Sequence, residues 1–384
     1  MKLVFVSNYL SAHQIPFCDE MYSILGDDFA FISTIPMEQE RIDMGWTKFK
    51  RQYELYLNLK NKDEKIIGII NNADAVMIGS APDELIINRL KLGKLIFKYA
   101  ERLYKGELTF LQWVRAYIGT YIHYIRFKKS NFYVLCSSAY TCADLNKFFK
   151  FKDRCFKWGY FPETKKYDDI NGIIDAKENN SILWCARLID WKHPEVAVLL
   201  AEKLKRDGYK IKLNIIGGGE LEKEIQKLIH DKNLNDCVTM VGVIQQDNVR
   251  EYMEKSKIFL FTSDSNEGWG AVLNEAMNSG CACVASHAIG SAPYLIEDSV
   301  NGFLYRNGDF DDLYKKVTLL LDKPDKCKEM GREAYLTITK EWNADVAAAR
   351  FYELSQAILS GKKNLYLFED GPCSRTEILK NDWY

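Results

Sequence analysis

The sequence lacks the features that mark several common classes of protein. Its 52 lysine and arginine residues nearly balance 53 aspartate and glutamate residues, so no overall charge favours nucleic acid or another polyanion as a partner. The ten cysteines include no CxxC pair, and the five histidines lack ligand spacing, which argues against a metal site. We expect free thiols, most of them buried, as in a reducing compartment.

Signals for export and for a membrane span are also missing. The start, MKLVFVSNYL, has one lysine and too short an apolar run for a secretory signal, and no uncharged stretch is apolar enough over eighteen residues for a membrane span. The composition, with 47% hydrophobic and 27% charged residues, is typical of a chain that folds throughout. These features predict a globular, cytoplasmic protein.

Length and pattern together predict the domain organisation. At 384 residues the chain is long for one hydrophobic core. Apolar runs alternate with helix-length stretches, and the alternation starts again after WGYFPE, which is the pattern of parallel α/β sheets. We predict two doubly wound domains, at residues 1–160 and 161–360, and a tail at 361–384. Aromatic residues at both ends of the tail favour docking on the first domain, and a mobile terminus is the alternative.

The segment NEGWGAVLNEAMNSGCACVAS predicts a ligand site between two apolar strands. Glu267 precedes two glycines and a helix that begins near Ala271 and carries Glu275. Free N–H groups at the helix start favour a phosphate, and Gly268 and Gly270 allow its close approach. Glu275 would then accept hydrogen bonds from ribose hydroxyls, and Glu267 would reach toward the hydroxyl-rich group that is attached to the phosphates. The alternative is a helix-capping Glu267 and a solvated Glu275.

Two other loops add cations and glycines. WCARLIDWKHP places Arg187 and Lys192 after the first strand of the second domain, on the edge where open α/β sheets bind ligands. A guanidinium and an ammonium can hold a diphosphate and neutralise its charge as it leaves. The alternative is that both residues are ordinary surface cations without a binding role. IIGGGELEKE contains the glycine turn Gly217–Gly219. Neither half has a GxGxxG fingerprint, which argues against a nicotinamide or flavin enzyme.

Jointly these motifs resemble those of the retaining glycosyltransferases of family 4. The resemblance rests on a Glu-x7-Glu motif from Glu267 to Glu275, an Arg-x4-Lys pair at Arg187 and Lys192, and the Gly-Gly-Gly turn, and it covers residues 180–310 well. It implies the GT-B fold, an α/β architecture of two doubly wound Rossmann-like domains facing across a cleft. It also implies metal-independent transfer of a sugar with retention of anomeric configuration.

The resemblance assigns roles to individual residues. The donor would be a nucleotide sugar, UDP- or GDP-linked, and no cofactor is implied. Arg187 and Lys192 would hold the diphosphate, Glu275 the ribose and Glu267 the transferred sugar. Loop positions would contact the rest of the nucleotide, at Gly217, Gly218, Val243, Ile244, Gly268, Gly270, Ala271, Val272 and Leu273. The DxD string Asp309–Asp311 predicts a helix N-terminus and not a metal site.

The first domain departs from the family pattern. Its first loop, in VSNYLSAHQIPF, has no glycine pair, and the histidine that the family carries in mid-domain has no clear counterpart. His13, Glu101 and Arg102 are our candidates on the acceptor side.

A basic and aromatic stretch in the first domain suggests a membrane partner. Residues 88–130 hold ten lysine and arginine residues against two glutamates, interleaved with aromatic residues. A basic, aromatic helix face is typical of peripheral proteins on anionic lipid. A lipid-linked acceptor, with peripheral attachment to the inner membrane face, is therefore our hypothesis. The alternative is a core helix with a solvated basic face.

The sequence thus predicts a retaining glycosyltransferase acting on a glycan or lipid-linked acceptor, which by the resemblance serves bacterial surface polysaccharide synthesis. Other GT-B chemistry, as in a sugar-nucleotide epimerase or a phosphorylase, is an alternative. A non-catalytic carbohydrate- or lipid-binding scaffold is the alternative outside the enzymes. The joint presence of Arg187, Lys192, Glu267 and Glu275 argues against the scaffold, which would be free to lose them.

Overall fold

The computed structural model describes residues 1–37, 51–61, 63–105 and 108–384. It divides the chain into two compact units, Met1–Glu163 with Trp342–Trp383, and Thr164–Glu341 with Tyr384. Residues 342–360, which we assigned to the second domain, thus lie in the first unit. Gly106 and Glu107 of the predicted basic stretch lie outside the described residues.

One buried aromatic side chain explains this difference in the domain limits. Phe351 lies on the helix Ala344–Leu359 and is fully buried. Its ring centroid is 4.8 Å from that of Phe97 and 6.0 Å from that of Phe17, both in the core of the first unit. Periodicity predicts a helix here but does not indicate which core its apolar side chains join.

The first unit is built on a seven-stranded parallel sheet. Its strands are β1 Leu3–Ser7, β2 Phe29–Ser33, β3 Glu54–Tyr56, β4 Ala75–Ile78, β5 Leu95–Ala100, β6 Phe132–Cys136 and β7 Cys155–Lys157. They are ordered β3-β2-β1-β4-β5-β6-β7. Most strand residues are buried and apolar, as expected where helices cover both faces. The order reverses between β1 and β4, so the loops after these strands flank a switch point, where such sheets bind ligands.

Helices connect the strands of the first unit. They are α1 Ile15–Leu25, α2 Glu64–Asn72, α3 Glu84–Lys91, α4 Phe110–His123, α5 Thr141–Asn146 and, from the C-terminal part of the chain, α14 Ala344–Leu359. The helix α1 packs against α14.

The second unit contains a six-stranded parallel sheet. Its strands are β8 Ser181–Cys185, β9 Lys212–Ile216, β10 Val238–Gly242, β11 Ile258–Phe261, β12 Ala282–Ser286 and β13 Gly302–Tyr305, in the order β10-β9-β8-β11-β12-β13. Its helices are α6 Ile170–Ala176, α7 Pro194–Arg206, α8 Glu222–Asp231, α9 Gln246–Lys255, α10 Val272–Asn278, α11 Ala292–Leu295, α12 Phe310–Asp322 and α13 Pro324–Lys340. The predicted α/β class, with two doubly wound sheets, is confirmed.

Three predicted helix boundaries in the second half are confirmed. Pro194 is the first residue of α7, where its missing N–H costs nothing, and Gly208 follows the helix with a φ of 93°. The carboxylate of Asp309 accepts a hydrogen bond from the backbone N–H of Asp312 at 2.9 Å and so caps α12. The DxD string is therefore a helix N-terminus.

The basic stretch at residues 88–130 is not one helix face. Its described part contains the end of α3, the strand β5 and the helix α4. Arg89 is fully buried and donates to the backbone carbonyls of Ile70 and Ala73 at 2.8 and 2.7 Å. The ammonium of Lys98 is 2.7 Å from the carboxylate of Asp83. These cations are bound inside the unit, so the expected basic face is reduced to its C-terminal part.

All ten cysteines are free, and all but the half-buried Cys185 and Cys237 are buried, which confirms the prediction. Burial raises the pKa of thiols such as that of Cys281, which keeps them protonated and unreactive. Within the described parts of the chain, no helix combines the length and the apolar character needed to cross a membrane.

Candidate functional site

The candidate site lies at the switch point of the second sheet. From β8 the chain runs outward through β9 to β10, then returns to β11 beside β8 and continues to β12 and β13. The loops after β8 and β11 therefore flank the position where open α/β sheets bind ligands. Arg187 and Lys192 lie in the first loop, and Glu267 lies in the second.

A buried ion pair joins these two loops. The ammonium of Lys192 pairs with the carboxylate of Glu267, which also accepts a hydrogen bond from the Ser263 hydroxyl at 3.1 Å. Lys192 is 8% exposed and Glu267 is 7% exposed. Burial lowers the pKa of Lys192, and the charge of Glu267 opposes that shift. An ammonium this deeply buried is stable only beside an anion, and Glu267 supplies that anion at a position where a ligand anion could also pair with Lys192.

The backbone around Lys192 is held by a neighbouring strand. The Thr262 hydroxyl, which follows β11, accepts from the indole N–H of Trp184 at 2.8 Å and donates to the carbonyl of Lys192 at 2.7 Å. Next to Lys192, His193 has a left-handed backbone with a φ of 51° and lies 3.4 Å from Asp264. Thr262, His193 and Asp264 were not among the predicted site residues, because their roles depend on contacts between loops distant in sequence.

Arg187 supplies a second, accessible cation in the same loop. Its side chain is exposed, and its guanidinium lies 6.0 Å from the ring centroid of Trp191. The Lys192 ammonium is 4.4 Å from the centroid of the same ring. The positive charge of Arg187 also contributes to the lowered pKa of Lys192. One exposed and one buried cation on a shared indole form a cationic pair that fits a diphosphate.

The second carboxylate of the Glu-x7-Glu motif, Glu275, lies on α10 and is half-buried. Its Oε1 accepts a hydrogen bond from the side-chain amide of Gln246 at 2.8 Å. Burial raises its pKa. The charges of both Glu275 and Lys192 act on the thiol of Cys185 at the end of β8, which places them around one strand end. Gln246 was missed, although its position just after the β10 loop is a usable signal.

Two glycines are required by the packing of these loops. Gly217 has a φ of 130°, and a Cβ there would lie 1.9 Å from the carbonyl oxygen of Ala186. Gly270 has a φ of 85°, and its Cβ would lie 2.5 Å from the ring of Phe261. No other residue type fits either position. The remaining predicted donor contacts lie in these two loops, in the loop after β10 or at the start of α10, at Gly218, Val243, Ile244, Gly268, Ala271, Val272 and Leu273.

The helix after the glycine turn is short. The helix α10 has seven residues and Ala271 as its N-cap, so its dipole is small. Glu267 does not cap it, because its carboxylate pairs with Lys192, and the capping alternative is wrong. An anion at this site would thus be held chiefly by Arg187 and Lys192. In the parts of the chain that the structure describes, no group of three or more His, Cys, Asp or Glu side chains could hold a metal ion.

Of the acceptor-side candidates, the structure brings His13 and Glu101 together. The ring of His13 stacks on Tyr160 with centroids 5.8 Å apart, and the Tyr160 hydroxyl donates to the Glu101 carboxylate. His13 follows β1 at the switch point of the first sheet, and Glu101 follows β5. Arg102 lies apart from this group, since it is buried with its guanidinium 4.0 Å from the Asp144 carboxylate.

Comparison with known proteins gives a family match for the second unit. Residues 168–337 match the family model described as "Glycosyl transferases group 1". This segment contains every residue of the candidate site in the second unit. The match over this segment confirms the predicted resemblance to glycosyltransferases at this level.

Curated relatives match just under half of the chain. The amylovoran biosynthesis glycosyltransferase AmsK of Erwinia amylovora is 31% identical over 46% of this chain and 44% of its own length. A GDP-mannose-dependent alpha-(1-6)-phosphatidylinositol monomannoside mannosyltransferase of Mycobacterium tuberculosis is 25% identical over 45% of this chain and 46% of its own. The chain thus spans less than half the length of these two relatives.

A solved structure matches both units. HepE of Anabaena, crystallised in complex with UDP, superposes with a TM-score of 0.70 over 93% of this chain and 100% of its own, at 13% identity. Identity this low shows the fold alone. The GT-B architecture of two doubly wound α/β units is confirmed.

Proposed function

We propose that the protein is a retaining, metal-independent glycosyltransferase that uses a nucleotide-diphosphate sugar as donor. The observation that supports this most directly is the set of groups at the switch point of the second sheet. Two cations, Arg187 and Lys192, lie beside two carboxylates, Glu267 and Glu275. Cations suit a diphosphate, and carboxylates suit the hydroxyls of ribose and sugar. UDP or GDP is the expected leaving group.

The buried ion pair suggests how the donor is engaged. In the structure, Lys192 is paired with Glu267. A donor diphosphate replaces the carboxylate as the partner of Lys192, which releases Glu267 to accept a hydrogen bond from a hydroxyl of the sugar. Donor binding therefore exchanges one ion pair for another and leaves no buried ammonium without an anion.

Transfer follows from the same arrangement. The bond between the anomeric carbon and the diphosphate oxygen breaks, and its electron pair goes to the diphosphate. The acceptor hydroxyl attacks the same face of the sugar and passes its proton to the departing phosphate oxygen. Arg187 and Lys192 stabilise the negative charge that develops on the leaving group, which is the largest contribution that this site offers.

For the acceptor, we propose a glycan or a lipid-linked saccharide of bacterial surface polysaccharide synthesis, reached at the cytoplasmic face of the membrane. The two curated relatives act in amylovoran biosynthesis and on a phosphatidylinositol mannoside, which supports this class. In the first unit, the group formed by His13, Tyr160 and Glu101 contains hydrogen-bonding groups for a saccharide hydroxyl. Arg102 lies near Asp144 and outside this group, so its role in acceptor binding would be indirect.

Binding of nucleotides tests the proposal. The full chain is heated in EDTA with UDP, GDP, ADP or dTDP and with the matching nucleotide sugars. Saturation at a hundred times Kd should add about 2.7 kcal/mol to the stability for the correct base. Glu275→Ala should remove this stabilisation, whereas the matched control Glu251→Ala, an exposed glutamate on α9 of the same unit, should retain it. If no nucleotide binds, the proposal fails and the scaffold alternative replaces it.

The chemistry is tested on the identified donor. Its sugar should appear in a saccharide product whose anomeric proton and carbon signals in NMR match the donor configuration. The rate in EDTA should equal the rate with added Mg²⁺ or Mn²⁺. An inverted product, or an EDTA-sensitive rate, would contradict the mechanism. Release of an epimerised sugar without transfer would indicate the sugar-nucleotide epimerase alternative.

A further inference from the structure

The helix α4 in the first unit presents its apolar side to solvent. Seven large apolar side chains on it are between 39% and 79% exposed, at Phe110, Leu111, Trp113, Tyr117, Ile118, Tyr121 and Ile122. At 100° per residue these positions occupy an arc of about 180° on the helix. An ordinary surface helix turns such an arc toward the core, so the orientation of α4 is inverted.

The opposite side of α4 is held firmly. The Tyr104 hydroxyl bonds to the Thr120 hydroxyl and donates to the Ala116 carbonyl at 3.1 Å. Nδ1 of His123 is 2.6 Å from the Asp83 carboxylate. Ala116, Thr120 and His123 lie on the side of α4 that carries no large apolar side chain. The outward orientation of the apolar arc is thus fixed by specific contacts in the middle and at the C-terminal end of the helix.

Two further rings extend the apolar arc into one surface. Phe148 packs edge-on against Trp113 with centroids 5.1 Å apart, and Phe149 lies 5.0 Å from the ring of Tyr117. We call the seven exposed α4 side chains together with Phe148 and Phe149 the aromatic surface. Its α4 part alone, at about half exposure, presents on the order of 700 Å² of apolar area, above the ~300–600 Å² of the largest patch on a typical monomer.

The exposed charges close in sequence to the aromatic surface are positive. Residues 108–152 contain a single acid, Asp144, which is buried. Against it they contain seven cations, at Arg115, Arg126, Lys128, Lys129, Lys147, Lys150 and Lys152. Lys147 and Lys150 flank the two phenylalanines directly, and the Lys128 ammonium donates to the backbone carbonyl of Lys150. Apolar rings within a cationic border complement an apolar layer beneath anionic headgroups.

We propose that the aromatic surface binds an anionic lipid bilayer, with α4 lying in the plane of the headgroup layer. Its 14 residues are about 21 Å long, less than the ~30 Å of a bilayer core, so the helix lies on the membrane and does not span it. Tryptophan and tyrosine are the aromatic residues preferred at this depth. The inference deepens the proposed function by naming its membrane contact, and it fails separately because vesicle binding requires no donor.

Charge argues against a second copy of the chain as the occupant. A two-fold contact through the aromatic surface would bring the same cationic border from both copies together, with no exposed acid in residues 108–152 to balance it. An anionic bilayer instead gains from each of these cations.

Flotation of the full chain with vesicles tests the inference. Binding is expected to vesicles of equal parts phosphatidylcholine and phosphatidylglycerol, and to fall at least tenfold on going from about 50 to about 500 mM NaCl. Leu111→Glu with Ile118→Glu should reduce the partition coefficient by a factor of about ten or more. The matched control Leu359→Glu, an exposed leucine at the end of α14, should bind as the wild type does. Lys128→Gln and Lys129→Gln should each weaken binding about fivefold.

Depth and specificity are measured on the same preparations. Brominated acyl chains should quench tryptophan fluorescence in the wild type, and Trp113→Phe should lose most of that quenching while it still floats. All variants should keep the wild-type thermal midpoint, which excludes unfolding as the cause. No flotation, or equal flotation with neutral vesicles at high salt, would overturn the inference. So would a wild-type dimer that Ile118→Glu dissociates, since the surface would then belong to a second copy.

Discussion

Removing the carboxylate of Glu267 should expose the energetic role of the buried pair. In Glu267→Gln, the Lys192 ammonium stays 8% exposed and loses its anionic partner. Loss of one partner from a buried pair costs about 3–5 kcal/mol. The second unit spans residues 164–341, and a domain of this size loses about 2–4 °C in Tm per kcal/mol. We therefore expect its Tm to fall by roughly 6–20 °C without donor.

The pH dependence of this loss has a definite sign. Burial lowers the pKa of Lys192 and Glu267 raises it, so the variant keeps the lowering effects of burial and of the Arg187 charge without the opposing effect of Glu267. A lysine whose folded pKa lies below its unfolded value of about 10.4 destabilises the folded state most at low pH. The deficit should shrink as pH rises through the folded pKa. Denaturant unfolding of wild type and variant at pH 6, 8 and 9.5 measures the difference.

Two further variants and one ligand complete the test. Lys192→Met combined with Glu267→Gln removes both charges and should be more stable than Glu267→Gln alone. The nucleoside diphosphate identified above should stabilise Glu267→Gln more than it stabilises the wild type, because no internal carboxylate competes for Lys192. A Glu267→Gln cost below about 1 kcal/mol, or a double variant less stable than the single one, would refute the reasoning about the pair.

Three other predictions follow from the same structure. Gly217→Ala should cost more than about 2 kcal/mol and abolish nucleotide binding, whereas Gly208→Ala, which has a similar backbone strain but open space around it, should cost about 1 kcal/mol and leave binding intact, both by denaturant unfolding and calorimetry. Affinity for a nucleotide sugar should fall as pH drops through the raised pKa of Glu275, because a neutral carboxyl is a poorer acceptor for ribose hydroxyls; in Glu275→Gln that acidic limb should be absent, and its persistence would contradict the assignment. Asp309→Ala should lower the free energy of unfolding by about 1 kcal/mol through the lost cap of α12, and it should leave the transfer rate unchanged with or without Mg²⁺. A Mg²⁺-dependent loss of rate would indicate that the DxD string binds a metal ion.

The second unit could be predicted well from the sequence because its information is local. Pro194 and Asp309 mark helix starts within a few residues of themselves. The carboxyl ends of parallel strands share one edge, so Arg187 after β8 and Glu267 after β11 could be placed together without coordinates. What the sequence could not give is the pairing of Lys192 with Glu267, which depends on which of two nearby cations points inward.

The limits of the first unit depended on information that is not local. The helix α14 follows the second unit in sequence, but Phe351 completes a core made by Phe17 and Phe97, more than 250 positions earlier. No pattern within α14 encodes that choice. The same holds for Arg89, which a charge count assigns to the surface but which donates to carbonyls inside the unit. Counting cations overestimated the basic face because it could not detect the buried ones.

The helix α4 shows where periodicity stops being informative. Its apolar arc predicts a helix with one buried side, and both readings of the sequence, core helix and membrane face, are compatible with that arc. The contacts of Thr120 and His123 decide between them, because they fix the polar side toward the protein. Once the apolar side faces outward, residues 108–152 offer exposed cations and no exposed acid, so a partner that covers this side should carry negative charge. Periodicity thus identifies the face, the polar anchors orient it, and the surrounding charges select the partner.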